Sequence, residues 1–378
     1  MLITVSSALF PCAQARVLIK STPDEGIQPR MVNDKNGDVH LLYFKAREGE
    51  EAKIGNLYYR QYIQDKNTWS HRVRVTTQSY SHLDAVGRAG IAVDGDGRIH
   101  VVWYQVRPEQ YFYTRSNVVR TGFEPQRSIV MDNLEGLDAG ADITARGRTV
   151  AIVWAAGDLM HEAKRSVYAI ISLDGGISFG EEQQFSDPAK GVCACCGLAA
   201  DLIQDNELAV AYRSAVNGNG RHMQLLSADL QQGQISGSSD YYKVLHPLQQ
   251  WNLAGCPVTT NSFTEGNNPG AWLVFESEGR IIQLNLRDSN SISPVDASST
   301  MVRQKNPVIA FNDRNEKLVA WGEAAGHVSG GVLKFRLFSN TTVESSEPGP
   351  ELNQHTNIPN YSFPAAAALR DGSFLILY

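Results

Sequence analysis

The stretch Ala89-Gly90-Ile91-Ala92-Val93-Asp94-Gly95-Asp96-Gly97-Arg98-Ile99-His100-Val101-Val102-Trp103 places two short runs of β-branched and apolar residues on either side of an Asp/Gly turn. Neither run has helical periodicity, and Asp-Gly between them reads as a tight antiparallel hairpin. The same phrase recurs along the chain. It pairs Arg30–Asp34 with Val39–Phe44, Ala141–Ala145 with Val150–Trp154, and Leu198–Leu202 with Leu208–Tyr212. Three further copies pair Val258–Phe263 with Ala271–Phe275, Val308–Phe311 with Leu318–Trp321, and Pro364–Leu369 with Phe374–Tyr378. The spacing is about 50 to 60 residues, that of four-stranded propeller blades. A radial repeat also protects sheet edges that an open stack would expose.

This reading predicts an all-β propeller of seven units, with a six-bladed ring as the alternative if the last pair supplements a neighbour. Further strands follow within the units, such as Leu57–Arg60 and Arg72–Val75 in the first. The last unit stops at its second strand, so Arg16–Lys20 is expected to supply its outer strand and close the ring. Glu344–Pro359, rich in Ser, Pro, Asn and Gly, reads as an excursion between units.

Ser172-Leu173-Asp174-Gly175-Gly176-Ile177-Ser178-Phe179 matches the S-x-D-x-G-x-x-F/W Asp-box and resembles the BNR-repeat, sialidase-like propellers. Ser116 and Phe123 keep the end residues of a second copy, and Ser227-Ala228-Asp229 keeps the beginning of a third. The resemblance implies that Ser172, Asp174, Gly176 and Phe179 are structural, on the turn between the third and fourth blade strands. Over nearly its whole length the chain also resembles bacterial sialidase-like proteins that combine an Asp-box with C-x-C-C and W-x-x-x-x-C-P segments. The matching residues are Cys193-Ala194-Cys195-Cys196 and Trp251-Asn252-Leu253-Ala254-Gly255-Cys256-Pro257. That likeness implies fold and export rather than an activity. Hydrolytic sialidases resemble one another in an F/Y-R-I-P segment, and Gln28-Pro29-Arg30-Met31 stands in its place here.

The net charge of −6 and the lack of any Lys/Arg run argue against nucleic acid as a partner. No segment beyond the N-terminus reaches the roughly 18 to 20 apolar residues of a transmembrane span. Residues 1–15 read as a signal peptide or its remnant, with Ala13-Gln14-Ala15 as the cleavage pattern, and residues 16–378 as one propeller domain. Export to the periplasm or beyond is therefore expected. Cleavage would remove Cys12 and leave Cys193, Cys195, Cys196 and Cys256 in a compartment where disulfides persist.

In a propeller, loops entering each inner strand and loops leaving each second strand open on one axial face. Entering loops carry Arg30, Arg88, Cys193 to Cys196, Cys256 and Tyr361; leaving loops carry Lys45, Asp158, Arg213, Glu276, Glu323 and His327. Glycoside hydrolysis needs two carboxyl groups flanking the scissile bond, which makes Glu276, Glu323 and Asp158 the catalytic candidates. Arg30, Arg88 and Arg213 suit a carboxylate or sulfate, and His327 shares their face. Trp251 either stacks on a sugar or packs between blades.

For the four cysteines, three readings stand together. They form two disulfides, they bind Cu or Zn, with Met223 or a histidine as a further ligand, or they make a thiol–disulfide redox site. The functional expectation is an exported propeller that binds a carbohydrate-like or other polar ligand on its axial face, with glycoside hydrolysis as the enzymatic form. Its rivals are a non-catalytic metal or redox protein and a purely structural propeller.

Overall fold

The computed structural model describes residues 16–47, 54–82, 87–136, 140–203, 207–240, 244–265, 270–296, 302–339 and 356–378. The signal-peptide reading and most of the Glu344–Pro359 excursion lie outside them. Seven separate sheets form seven blades, and the described residues contain no α-helix.

The inner strands are Ile27–Asn33, Gly90–Val93, Asp142–Arg146, Ala199–Ile203, Asn261–Glu265, Gln304–Phe311 and Ala365–Ala368, in blades 1 to 7. Each packs against the inner strand on either side, and blade 7 returns to blade 1. Every one of the seven repeats therefore supplies the two innermost strands of a blade. Closure is also as expected. Val17–Lys20 pairs parallel with Phe374–Leu377, in the register Val17↔Phe374 to Lys20↔Leu377, and is the outer strand of blade 7.

Strand alternation puts apolar residues on both faces of each blade, because both faces meet a neighbour. A hydrophobic cluster accordingly fills every interblade gap, from Leu42, Phe44, Ile91 and Trp103 between blades 1 and 2 to Leu41, Tyr43, Leu375 and Leu377 between blades 7 and 1.

Blades 1 and 2 carry the same polar device at the foot of this core. In blade 2, Asp94 opens the turn before Ile99 and accepts at 2.9 Å from the amides of Asp96 and Arg98. It also lies 3.1 Å from His100 Nε2, while His100 Nδ1 meets the Tyr113 hydroxyl at 2.7 Å. Asp34, His40 and Tyr59 repeat this in blade 1, at 3.4 and 2.8 Å.

The Asp-box occupies the expected turn, between the third strand Ser166–Ser172 and the fourth strand Gln183–Gln184 of blade 3. Ser172 donates to Asp174 at 2.7 Å, and Asp174 accepts from the Ser178 amide at 2.9 Å. Burial of the Asp174 carboxyl opposes ionisation, but bonds from Ser178, Ser172 and the Ile177 amide outweigh it and hold the pKa at about 2. Gly176 is required twice over: its φ is +75°, and a Cβ there would stand 1.8 Å from the Tyr113 hydroxyl. Phe179 meets Tyr113 of blade 2 edge-on at 5.1 Å.

Ser116…Phe123 sits at the same turn of blade 2, and Phe123 packs edge-on to Tyr59 of blade 1 at 6.0 Å. Ser227-Ala228-Asp229 departs from the pattern. It lies inside the third strand of blade 4, Met223–Gln231, at a β-bulge. The strand runs on because its hairpin closes on only Gln232 and Gly233, with φ of 52° and 81°, leaving no room for a box.

Candidate functional site

Inner-strand side chains surround an axial channel of about 660 Å³. Across it, Arg30 of blade 1 donates to Asp142 of blade 3 at 3.0 Å, and Asp142 also accepts from the Ala200 amide of blade 4 at 3.1 Å. Gly90 of blade 2 lies between them, and a Cβ there would come within 3.2 Å of Asp142 Oδ1. Burial raises the Asp142 pKa against the opposing pull of Arg30.

Beside this pair, the loop entering blade 4 carries Cys193, Cys195 and Cys196. Its backbone is tied down at each step. The Cys193 amide donates to Arg213 O at 2.9 Å, Ala194 N to Glu162 Oε1 at 2.7 Å, Gly197 N to Thr259 O at 3.0 Å, and Leu198 N to Gly140 O at 2.7 Å. The loop entering blade 5 brings Cys256 alongside: Arg221 holds Gly255 O at 3.0 Å and Lys305 holds Pro257 O at 2.6 Å.

Cys195 and Cys256 form a disulfide with Cα atoms 6.5 Å apart, and both are half-buried. Cys193 and Cys196 are free and buried. Cys193 Sγ lies 3.4 Å from Cys196 Sγ, 3.8 Å from Cys195 Sγ and 4.0 Å from Cys256 Sγ. Burial alone would raise the Cys196 pKa. Donation from the Cys193 thiol, the guanidinium groups of Arg213 and Arg88, and a bond from the Thr259 amide reverse this and bring it to about 5. Cys193 moves the other way, chiefly because its proton is held by Cys196.

The cations around the sulfurs, Arg88, Arg213, Arg221 and Lys305, come from three blades. Arg213 Nη2 donates to Glu276 O at 2.6 Å, and its guanidinium lies over the Trp251 ring at 5.1 Å. Arg88 crosses from blade 2 to reach Cys195 O at 3.4 Å. Arg221 forms an ion pair with Glu162 at 2.5 Å. The Glu276 side chain is fully enclosed, and Lys305, Arg213 and the Thr259 side chain face its carboxyl group. Burial raises its pKa to about 7, against Lys305 and Arg213.

The structure thus gathers the four cysteines with Glu276, Arg88, Arg213 and Trp251. Trp251 is packed, with 6% of its surface exposed. Arg30 belongs to the channel. Glu323 pairs with Lys334 at 3.7 Å, and Asp158 with His161 at 2.6 Å, which with the Met160 amide keeps the Asp158 carboxyl below its ordinary pKa. His327 is exposed on the loop leaving the second strand of blade 6. Met223 packs in the core between blades 4 and 5.

Glu162, Arg221 and Lys305 were not among the sequence candidates. All three lie in loops or strand starts that open on the axial face, so the topological sorting that selected Cys256 would have included them.

No protein-family model and no curated protein sequence matches the chain. Solved structures do. The NanB sialidase of Streptococcus pneumoniae is similar with a TM-score of 0.53 and 11% identity, over 88% of this chain and 71% of that one. The intramolecular trans-sialidase of Ruminococcus gnavus gives 0.53 and 9%, over 83% and 94%. A PL25 ulvan lyase, a polysaccharide lyase, gives 0.50 and 12%, over 84% and 79%. At such identities the likeness concerns architecture, and two different chemistries share it. By its fold the chain is a sialidase-like β-propeller, with seven blades.

Proposed function

We propose that this is an exported protein whose axial thiol cluster exchanges a disulfide with a dithiol partner. The observation that carries this reading is the position of the Cys193 sulfur, within 3.4 to 4.0 Å of the other three. A disulfide on the half-buried outer pair and a dithiol on the buried inner pair are then in exchange contact. The Cys193 thiol passes its proton to the Cys196 thiolate it already donates to, and the resulting Cys193 thiolate attacks Cys256, breaking the Cys195–Cys256 bond and freeing the Cys195 thiolate, which takes up that proton. Cys196 next attacks Cys193, forming Cys193–Cys196 and releasing Cys256. That proton and the thiolate charge pass from the inner to the outer pair, and the electron count is unchanged. The outer dithiol is then able to reduce an external disulfide. In the reverse sense, an external dithiol reduces the outer disulfide and leaves oxidised. A disulfide that persists favours an oxidising compartment, which supports export.

The test is peptide mapping after acid quench and alkylation, with protein poised in a dithiothreitol redox buffer. Both Cys195–Cys256 and Cys193–Cys196 bonds are expected, and Cys193→Ser should abolish their interconversion. A single pairing at every poise, with no exchange to an added dithiol, would sink the idea.

The axial channel supports a second reading, binding of a carbohydrate-like polar ligand, because its wall combines Arg30 and Asp142 with Asn261 and Thr264. Glycoside hydrolysis would be its enzymatic form, with Glu276, Glu323 and Asp158 as the candidates from the sequence, none of which lines the channel itself. A fluorogenic glycoside panel tests it: turnover lost in Glu276→Gln or Glu323→Gln supports hydrolysis, and inactivity throughout the panel opposes it. Arg30→Met should weaken binding of a charged sugar, measured by calorimetry, if the channel is the ligand site.

A further inference from the structure

We infer that the fully reduced cluster is a binding site for a soft monovalent d10 cation, Cu(I), and that the Cys195–Cys256 bond gates it. This rests on the proposed reading in one respect, that the outer pair can be reduced.

The sulfur spacing is the first argument. The ligand atoms of Cys193, Cys195 and Cys196 all lie within 4.8 Å of one another, and Cys193 stands 4.0 Å from Cys256. Thiolates that share one ion at about 2.3 Å are about 3.8 Å apart in tetrahedral geometry and about 4.0 Å apart in trigonal geometry. Cys193 stands 3.4 to 4.0 Å from each of the other three sulfurs, and opening the Cys195–Cys256 bond frees those two to separate, on a backbone fixed by the Arg213, Glu162, Thr259 and Gly140 contacts described above.

Charge is the second argument. Several thiolates on one monovalent ion make a net anion, which is costly to bury without compensation. Arg88 and Arg213 are charge partners of Cys196, and Lys305 holds the Pro257 carbonyl next to Cys256. Glu276 and Glu162 are the nearby acids, and Glu162 is already paired with Arg221. The cations therefore suit an anionic thiolate complex.

Ligand type is the third. An all-sulfur donor set drawn mainly from one C-x-C-C loop suits Cu(I), which accepts two or three thiolates, whereas a structural Zn(II) site takes four ligands. When Cys195 and Cys256 are bonded to each other, only Cys193 and Cys196 remain as thiols. Oxidation thus leaves two donors of the four, too close together at 3.4 Å to lie on opposite sides of one ion, and weakens the hold on it; reduction restores the third and fourth.

The experiment is an anaerobic competition titration of the full-length protein against a chromogenic Cu(I) chelator, before and after reduction and removal of the reductant. The reduced protein should take one Cu(I), with thiolate-to-copper charge-transfer absorption. The oxidised protein should bind at least about 100-fold more weakly, and so should reduced Cys196→Ser and Cys256→Ser, beyond the roughly 10- to 100-fold typical of outer-shell changes. Cys12→Ser should leave the affinity unchanged. Circular dichroism confirms that each variant is folded.

Equal affinity in the oxidised and reduced protein, or no Cu(I) uptake by protein with four titratable cluster thiols, overturns the inference. Equal competition by Zn(II) overturns its assignment to a monovalent ion. Thiol counting and the exchange assay on the same sample separate the two ideas. Exchange without Cu(I) uptake removes the metal site alone. A bond that chemical reductant opens but no dithiol partner exchanges removes the redox reading alone.

Discussion

Gly140 shows how single residues set the position of the cluster. A Cβ on it would lie 2.7 Å from the Cys196 carbonyl oxygen and 2.9 Å from Leu198 Cδ1. The first is a backbone atom that cannot rotate away, so Gly140→Ala must displace the loop that carries Cys196. We expect a loss of about 1 to 3 kcal/mol in urea unfolding. The division of the disulfide between the outer and inner pairs should change as well, measured by the same peptide mapping. Unchanged stability with unchanged pairing would show that the loop does not depend on this approach. A sequence cannot reveal such a glycine, because the atom it accommodates is more than 50 residues away. Gly176 differs: its place inside the Asp-box motif marks it in advance.

Pairs of elements explain why the Asp-box recurs in degraded form. Phe179 of blade 3 covers Tyr113 of blade 2, and Phe123 of blade 2 covers Tyr59 of blade 1. Each tyrosine in turn bonds a buried histidine that faces an aspartate, so the aromatic closes a polar stack on the preceding blade. This accounts for the survival of the end residues where the middle of the motif has changed.

The stack predicts a pH dependence. Burial lowers the His40 pKa from 6.5; Asp34 and Asp38 oppose this and Arg120 reinforces it. Below about pH 6.5 the unfolded chain takes up a proton that the folded protein refuses, so stability falls with pH until the folded-state pKa is passed. The slope from this residue is at most about 1.4 kcal/mol per pH unit. His40→Gln removes it, so the stability difference between wild type and variant should shrink from pH 7.5 to 5.5 in urea titrations. A difference that stays constant would mean that His40 does not titrate in this window.

For the whole molecule, the seven repeats, the closure strand and the face on which the cysteines lie were legible in the sequence, because strand alternation and turn residues act locally. Which side chains meet was not. Arg88 reaches a loop two blades away, and Arg30 meets Asp142 over the top of Gly90; both contacts follow from ring closure rather than from any local pattern. Trp251 and Glu276 were candidates by residue type and position in the chain, and the structure encloses both.

Ring closure itself depends on four residues. Val17 and Ile19 pack with the core between blades 6 and 7, and Leu18 with the core between blades 7 and 1. Backbone bonds flank them, from Phe374 N to Arg16 O at 2.8 Å and from Thr22 N to Tyr378 O at 2.8 Å. This strand pairs Val17–Lys20 with Phe374–Leu377, so it resists opening of the ring between blades 7 and 1. Ile19→Asp places a charge against the apolar side of blade 7 and should cost about 2 kcal/mol or more. Blade 7 should then become the first site of limited proteolysis, with the thiol cluster of blades 4 and 5 still forming its disulfide. Wild-type stability and cleavage elsewhere would show that the seven blades hold the ring without the strand.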